Sequence, residues 1–342
     1  MINYIQNKKM DIDKFKEIIS NSESLNQFTN SGPAKKYLEQ ILHKLLNINS
    51  DKAVLCVSSG THALHAIKLF FQRRGPNFSW VSPSFTFPSC TVGGFKTAIV
   101  DIELESMTLP LEEVKKYDGS IITSLFGTYP HNLKQLLSFA MNNNKKVILD
   151  VASSPMTTID GKNICNFGDY SFGSLHHTKY LGFGEGGFIV LPKEEYVEMS
   201  SILAFGYTAD QAVRKYNPLS SNYKISDVAA AAIIQHLQKL DLDLLLNIQN
   251  DFINKLDNLE NSSLFLYNEG TVYGNLPILF KKSQSKKTFF KQGIEAQKYY
   301  YPLSTDHNNS MSIYDRIINF PLHVDLTSKD INKIINSIKE IR

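Results

Sequence analysis

The sequence predicts an α/β protein, with a large domain built on a mainly parallel sheet flanked by helices and a smaller α+β domain after it. Three observations carry this reading. Short β-rich runs recur from Ala53 to Leu191 with helical patterns between several of them, and beyond Ile225 the alternation gives way to a long helical run. The third is length: 342 residues exceed the roughly 250–300 at which a single hydrophobic core stops growing.

The expected strands are Ala53–Ser58, Ser79–Ser82, Thr97–Val100, Ser120–Phe126, Val147–Leu149 and Phe188–Leu191, with a further β-like run at Tyr170–Gly173. Several are apolar throughout, as strands covered on both faces should be. After the first, Leu64, Ile67 and Phe71 follow the i, i+3, i+7 spacing of one buried helix face. Lys115, Lys116, Lys145 and Lys146 lie at the solvent-side ends of elements. Ser226-Asp227 caps a helical run that continues to about Leu259 and leads out of the large domain. The remainder alternates weakly. It closes on a capped start, Leu326 to Asp330, before a helix with Ile331, Ile334, Ile335 and Ile338 on one face. The expected division is residues 1–240 for the large domain, N-terminal segment included, and 241–342 for the small one.

Hydrophobic residues at 42% and charged residues at 20% describe a globular chain and exclude disorder, collagen-like repeats and coiled coil. The net charge of +3, from 36 basic and 33 acidic residues spread along the chain, directs no field at nucleic acid or an anionic membrane. Neither partner is expected. The N-terminus lacks a signal-peptide pattern. The longest apolar run, Val228 to Ile234, falls far short of the ~20 residues that span a bilayer. Cys56, Cys90 and Cys165 are odd in number and widely spaced, which fits neither a disulfide framework nor a zinc site, so no metal is expected. They read as packing residues of a cytoplasmic protein.

Ser58-Ser59-Gly60-Thr61 stands between the first strand and a helix starting near His62. Backbone N–H groups at a helix N-terminus, with a glycine and hydroxyls beside them, make a phosphate cradle, although the same residues also make an ordinary N-cap. Gly182-Phe-Gly-Glu-Gly-Gly187 has the glycines of a dinucleotide fingerprint but is followed by a strand, which fails that motif's context. Such a stretch instead lets backbone pass close to a bound group. Just upstream, Lys179 lies between a β-like run and the glycines, a setting in which burial frees an amine for imine chemistry. Asp150 ends the apolar strand Val147–Leu149, where a carboxylate needs a cation or several donors, unless it merely caps the next turn.

A phosphate cradle, a carboxylate for a buried cationic nitrogen and a lysine for an aldehyde match the three handles of pyridoxal 5′-phosphate (PLP). The chain resembles the DegT/DnrJ/EryC1/StrS sugar aminotransferases of the aspartate aminotransferase superfamily from about Asn30 to its C-terminus. The clearest segments are Val57–Leu64, Pro83–Phe87, Val147–Asp150, Gly168-Asp169, Ser174–Gly187, Asn222–Asp227 with Ala229–Ala232, and Tyr300–Leu303. The resemblance implies the fold-type-I architecture, a seven-stranded, mainly parallel sheet plus a small α+β domain. It implies that Lys179 forms the internal aldimine and that Asp150 keeps the pyridine nitrogen protonated. Gly60, Thr61 and Ser174 hold the phosphate with Ser59 beside them, and Phe87 lies against the ring. Asn222 reaches the phosphate of the other subunit, which implies a homodimer with shared active sites. His176 and Tyr301 fall on the substrate side, and for His176 a structural role is equally open.

Departures cluster toward the substrate. Ser153 replaces the longer side chain that meets the cofactor ring oxygen in the family, the usual Asn-x-Arg reads Asn222-Tyr223-Lys224, and Ser304 stands where a histidine often follows Tyr-x-Pro-Leu. The implied activity is PLP-dependent transamination, through a pyridoxamine phosphate (PMP) form, from glutamate to a nucleotide-linked keto-deoxysugar in surface polysaccharide or glycoside assembly. Alternatives are a smaller phosphorylated ketone as acceptor, a sugar dehydratase with a histidine at the lysine position, for which His176 and His177 are near enough to weigh, and a PLP-binding regulator without turnover.

Overall fold

Strand burial on both faces, with helices covering each, organises the first 240 residues of the computed structural model, which describes residues 1–207, 216–256 and 261–341. Two helices open the chain, α1 (Ile12–Ser24) and α2 (Pro33–Leu45). Alternation follows through β1 (Lys52–Val57), α3 (Gly60–Arg74), β2 (Trp80–Pro83), β3 (Thr97–Val100), α4 (Leu111–Val114), β4 (Gly119–Thr123), α5 (Leu133–Asn142) and β5 (Lys146–Asp150). A small hairpin, β6 (Thr158–Ile159) and β7 (Lys162–Asn163), precedes β8 (Tyr170–Ser174), β9 (Gly187–Pro192) and the helices α6 (Tyr196–Ile202) and α7 (Asp227–Leu237). Then come α8 (Leu242–Leu256), β10 (Ser262–Leu264), β11 (Leu276–Phe280), α9 (Lys286–Lys291), α10 (Asn308–Arg316), β12 (Ile317–Phe320) and α11 (Ser328–Lys339).

The main sheet has seven strands in the order β1-β9-β8-β5-β4-β2-β3. All neighbours run parallel except β9, which is antiparallel to both β1 and β8. The period of two along β5 divides its side chains between the layers. Val147 and Leu149 pack with Leu38 and Leu42 of α2 and Ile233 and Ile234 of α7. Ile148 joins the opposite layer with Leu64, Ile67 and Phe71, the expected face of α3. Truncating any of the leucines and isoleucines among these, which are fully buried, to alanine would cost ~2–5 kcal/mol. Cys56, Cys90 and Cys165 are buried free thiols.

A separate core gathers Leu245 and Phe252 of α8, Ile278 of β11, Ile318 of β12 and the isoleucine face of α11. Its sheet, β10-β11-β12, is antiparallel. A capping box between Thr327 and Asp330 starts α11. The N-terminal residue Ile2 also packs into this core and bridges Ile294.

The expected single helical run from Ser226 is two helices. Its capping serine accepts from the Ala229 N–H, but α7 ends at Leu237, and Asp241 accepts from the Leu244 N–H at 2.9 Å at the start of α8. The two helices bury their apolar faces in different cores, so continuous helical composition hides a break. Residues 257–260, where that run was expected to end, lie outside the described residues. The strand expected over Ser120–Phe126 ends at Thr123, because the chain turns at Phe126, whose φ is 58°. The glycine-rich stretch serves the chain's own backbone: a Cβ on Gly182 would lie 2.0 Å from the His176 carbonyl oxygen, and one on Gly187 would lie 2.4 Å from the Ser59 carbonyl carbon.

Candidate active site

The carboxyl ends of β4, β5 and β8 open onto a cavity of about 550 Å³, where an open α/β sheet places its ligand. Thr123 ends β4, Asp150 ends β5 and Ser174 ends β8, and all three line it. Of the residues anticipated from sequence, Ser59, Gly60, Thr61, Phe87, Asp150, Ser153, Ser174, His176 and Lys179 reach this one cavity. Asn222 and Tyr301 do not line it.

The β1–α3 turn lies at one end. Ser59 is the N-cap of α3, its hydroxyl accepting the His62 N–H at 3.2 Å, so the helix begins earlier than expected. The amides of Gly60 and Thr61, in the first helical turn, have no intrahelical partner by construction and carry the positive end of the helix dipole. The N-cap and phosphate-cradle readings of this motif are therefore compatible.

Asp150 is buried, and its Oδ1 accepts a hydrogen bond from the Ala152 N–H at 3.0 Å. Burial pushes its pKa up to about 6 against the opposing pull of that N–H and of the Lys179 charge. This carboxylate has no ion-pair partner among the described residues, and a cationic nitrogen in the cavity would supply one. Lys179 Nζ donates to Ser153 Oγ at 3.1 Å. The residues present therefore fit PLP: an anion-binding helix turn, a buried acid lacking its cation and an amine share one space.

His176 Nδ1 lies 2.8 Å from Thr178 Oγ1 and its Nε2 lies 3.4 Å from Glu185, both cavity-lining residues. His177 turns away: its ring packs against Phe183 at 5.5 Å, and burial lowers its pKa. The tyrosine segment is shifted from expectation. Tyr299 and Tyr300 line the cavity, whereas Tyr301 is 58% exposed and sets its ring against Tyr314 of α10. Tyr300 is fixed inward by stacking on the buried Phe126 at 5.7 Å, and Tyr301 consequently projects outward.

Asn222 is exposed, and its side-chain oxygen accepts from Lys224 Nζ at 2.6 Å. Residues that the sequence reading did not single out complete the wall: Tyr4, Thr86, Ser89, Thr123, Glu185 and Asn275. Thr123 closes a parallel strand, but the expected strand ran on to Phe126, so the rule for strand ends pointed three residues too far. Tyr4 had no local signal, for it arrives from the far N-terminus.

The family model for the DegT/DnrJ/EryC1/StrS aminotransferases matches residues 8–339. The dTDP-4-amino-4,6-dideoxy-D-glucose transaminase of Shigella dysenteriae is 26% identical, with 92% of each chain covered. The spore coat polysaccharide biosynthesis protein SpsC of Bacillus subtilis is 22% identical over 85% of each. Among solved structures, the sugar aminotransferase CalS13 of Micromonospora echinospora superposes with a TM-score of 0.84 at 17% identity over 100% of both chains. A family aminotransferase from Brucella abortus superposes at 0.82, with 21% identity and 96% and 95% covered. With a family model matched along nearly its whole length, the chain belongs to the DegT/DnrJ/EryC1/StrS aminotransferase family.

Proposed function

We propose that this protein is a PLP-dependent aminotransferase that moves an amino group from glutamate to a nucleotide-linked keto-deoxysugar, in the assembly of surface polysaccharide or a glycoside. The observation that carries this is the buried Asp150 carboxylate, lacking a cation, in one cavity with the amine of Lys179 and the first turn of α3. The transaminase and polysaccharide-biosynthesis names of the relatives support the substrate class.

Bound there, PLP supplies an aldehyde and an electron-accepting ring. The Asp150 carboxylate would hold a proton on the ring nitrogen, and the amides of Gly60 and Thr61, with the Ser59 and Ser174 hydroxyls, would hold the phosphate. Phe87 would cover one ring face, and Ser153 would hold Lys179 in reach. As a free amine, Lys179 Nζ would take the proton from the α-carbon of the amino donor and deliver it to the former aldehyde carbon, so that the amino group stays behind and a keto acid leaves. Tyr4, Tyr299 and Tyr300 add a cluster of aromatic rings to the cavity wall.

Lys179 reaches the cavity with Asp150, which favours transamination over the dehydratase alternative; of the two neighbouring histidines, His177 stays outside and His176 lines the wall beside Thr178 and Glu185. We assign residues 1–240 to the cofactor-binding domain and 241–342 to the small domain. We also propose a cytoplasmic homodimer in which Asn222 serves the partner's phosphate site. That residue is exposed and lies outside its own cavity, which supports this role. No helix among the described residues is long and apolar enough to cross a membrane.

The test is spectroscopic. Protein loaded with PLP should show a visible band that glutamate converts to that of PMP, and a nucleotide-linked keto-sugar should restore it. A spectrum indifferent to every amino donor would sink the reading.

A further inference from the structure

Residues 2–11 form a strap that joins the C-terminal core to helix α7 of the large domain by way of the active site. Ile2 bridges Ile294 and is buried in the C-terminal core. The Tyr4 N–H donates to Glu295 at 2.9 Å, while its ring lines the cavity edge-on to Tyr299 at 6.1 Å. At the far end the Asp11 N–H donates to the Gln235 side chain of α7 at 3.0 Å.

Between these anchors Lys8 extends toward the segment that carries Lys179. Its Nζ donates to the carbonyl oxygens of His177 at 2.8 Å, Lys179 at 2.5 Å and Gly182 at 2.6 Å. An ammonium group has three N–H donors, and here all three serve one loop. The loop is also closed from within: the Lys179 N–H donates to the His176 carbonyl at 2.8 Å, and the Gly182 N–H donates to the Lys179 carbonyl at 2.9 Å. From α7, His236 Nε2 meets the Tyr180 carbonyl at 2.8 Å. Lys8 forms no ion pair among the described residues. The titratable groups facing it are His177 and His236, both lowered first by burial and then by the Lys8 charge. The carbonyl dipoles of the Lys179 loop are therefore what hold this cation in place.

We infer that Lys8 is a positioning residue for Lys179: it clamps the backbone of the 177–182 loop so that the Lys179 side chain enters the cavity at a fixed angle. The inference rests on the reading of Lys179 as the imine-forming amine. Without the clamp the three carbonyls lose the Lys8 ammonium, the Lys179 carbonyl keeping only the Gly182 N–H, and the loop opens locally, since partly exposed turns are the first to loosen. A reacting amine displaced by about 1 Å costs up to roughly 100-fold in rate without a matching loss of substrate binding.

The test compares wild type with Lys8→Met, Lys8→Gln and Lys8→Arg. Amide hydrogen exchange on the apoprotein is read at Lys179 and Gly182, so the first readout needs no cofactor. In Lys8→Met these amides should exchange at least about ten-fold faster, while the strands β5 and β8 stay protected. With PLP and glutamate, kcat should fall by about ten-fold or more, with KM within about two-fold. Lys8→Arg, which retains the charge and several donors, should recover much of both. Should Lys8→Met not fold, Lys8→Gln, which keeps two N–H donors, carries the comparison. Unchanged exchange at Lys179 and Gly182 in a folded variant overturns the inference, as does an equal loosening of the whole sheet. If wild type binds no PLP, the proposed function fails, whereas the exchange result still decides whether Lys8 holds the loop.

Discussion

Lys179 and Ser153 meet at 3.1 Å across the active-site cavity, the lysine Nζ donating to the serine hydroxyl. This hydrogen bond joins the loop after β8 to the loop after β5, 26 residues earlier in the chain. It brings the amine to the carboxyl end of the strand that carries Asp150.

Borohydride reduction of the PLP-loaded protein should fix the label on Lys179, and peptide mapping reads its position. Lys179→Ala should lose both label and transamination while remaining folded. Its amine reaches the cavity rather than the core, and one lost hydrogen bond costs about 1 kcal/mol. A label on another lysine contradicts the assignment.

Asp150 gives a pH prediction with a definite sign. Its native pKa of about 6 exceeds the ordinary 3.8, so between these values the native state binds the proton more tightly than the unfolded chain. Stability of the apoprotein therefore declines as pH rises from about 4 to about 6, and the cost is fully present above that. A shift of roughly two units corresponds to about 3 kcal/mol. Asp150→Asn should accordingly stabilise the apoprotein at pH 7.5 by up to that amount and give no such gain at pH 3.5, while abolishing most activity. Urea unfolding at the two pH values reads it, and a variant less stable than wild type at both removes the argument.

The tyrosine segment separates two neighbours. Tyr300, stacked on Phe126 and lining the cavity, should raise the KM of the keto substrate when changed to Ala and destabilise the fold by about 1–3 kcal/mol. Tyr301→Ala should leave KM within about two-fold and stability within about 0.5 kcal/mol, because its ring is mostly exposed. Steady-state kinetics and thermal melts distinguish the pair, and equal effects would mean that the segment turns differently.

The parts of this site legible in sequence are those fixed by local chemistry. Ser59 and Gly60 announce a strand-to-helix turn, Asp150 ends an apolar strand, and Lys179 precedes a glycine-rich approach to another strand. Each signal spans a few residues, and parallel-sheet topology then brings their ends together. What was not legible depends on distant pairings. Tyr4 and Lys8 act through contacts to Tyr299 and to the 177–182 loop, which no window of sequence joins. The inward turn of Tyr300 rather than Tyr301 is set by Phe126, remote in the chain. The division between α7 and α8 was obscured for a related reason: both have helical composition, and only the cores they join tell them apart.

The proposed shared site leads to a complementation experiment, and the local chemistry of Asn222 shapes its design. Its side-chain oxygen already holds Lys224 Nζ at 2.6 Å, so Asn222→Asp alone would place its new carboxylate beside a cation that neutralises much of it. The useful variant is N222D/K224M, in which the carboxylate stands uncompensated against a phosphate dianion; two such charges about 4 Å apart repel by roughly 4 kcal/mol per unit-charge pair at an effective dielectric of 20. This variant and Lys179→Ala should each be inactive. In a heterodimer of the two, one site has its own Lys179 and the other chain's unaltered Asn222, and the other site has neither. Random exchange makes half the dimers mixed, so activity should return to roughly a quarter of wild type. Sedimentation confirms the dimer and a tag exchange confirms mixing. Full exchange without recovered activity, or a monomer under assay conditions, places Asn222 outside the partner's site and leaves it as a surface ligand of Lys224.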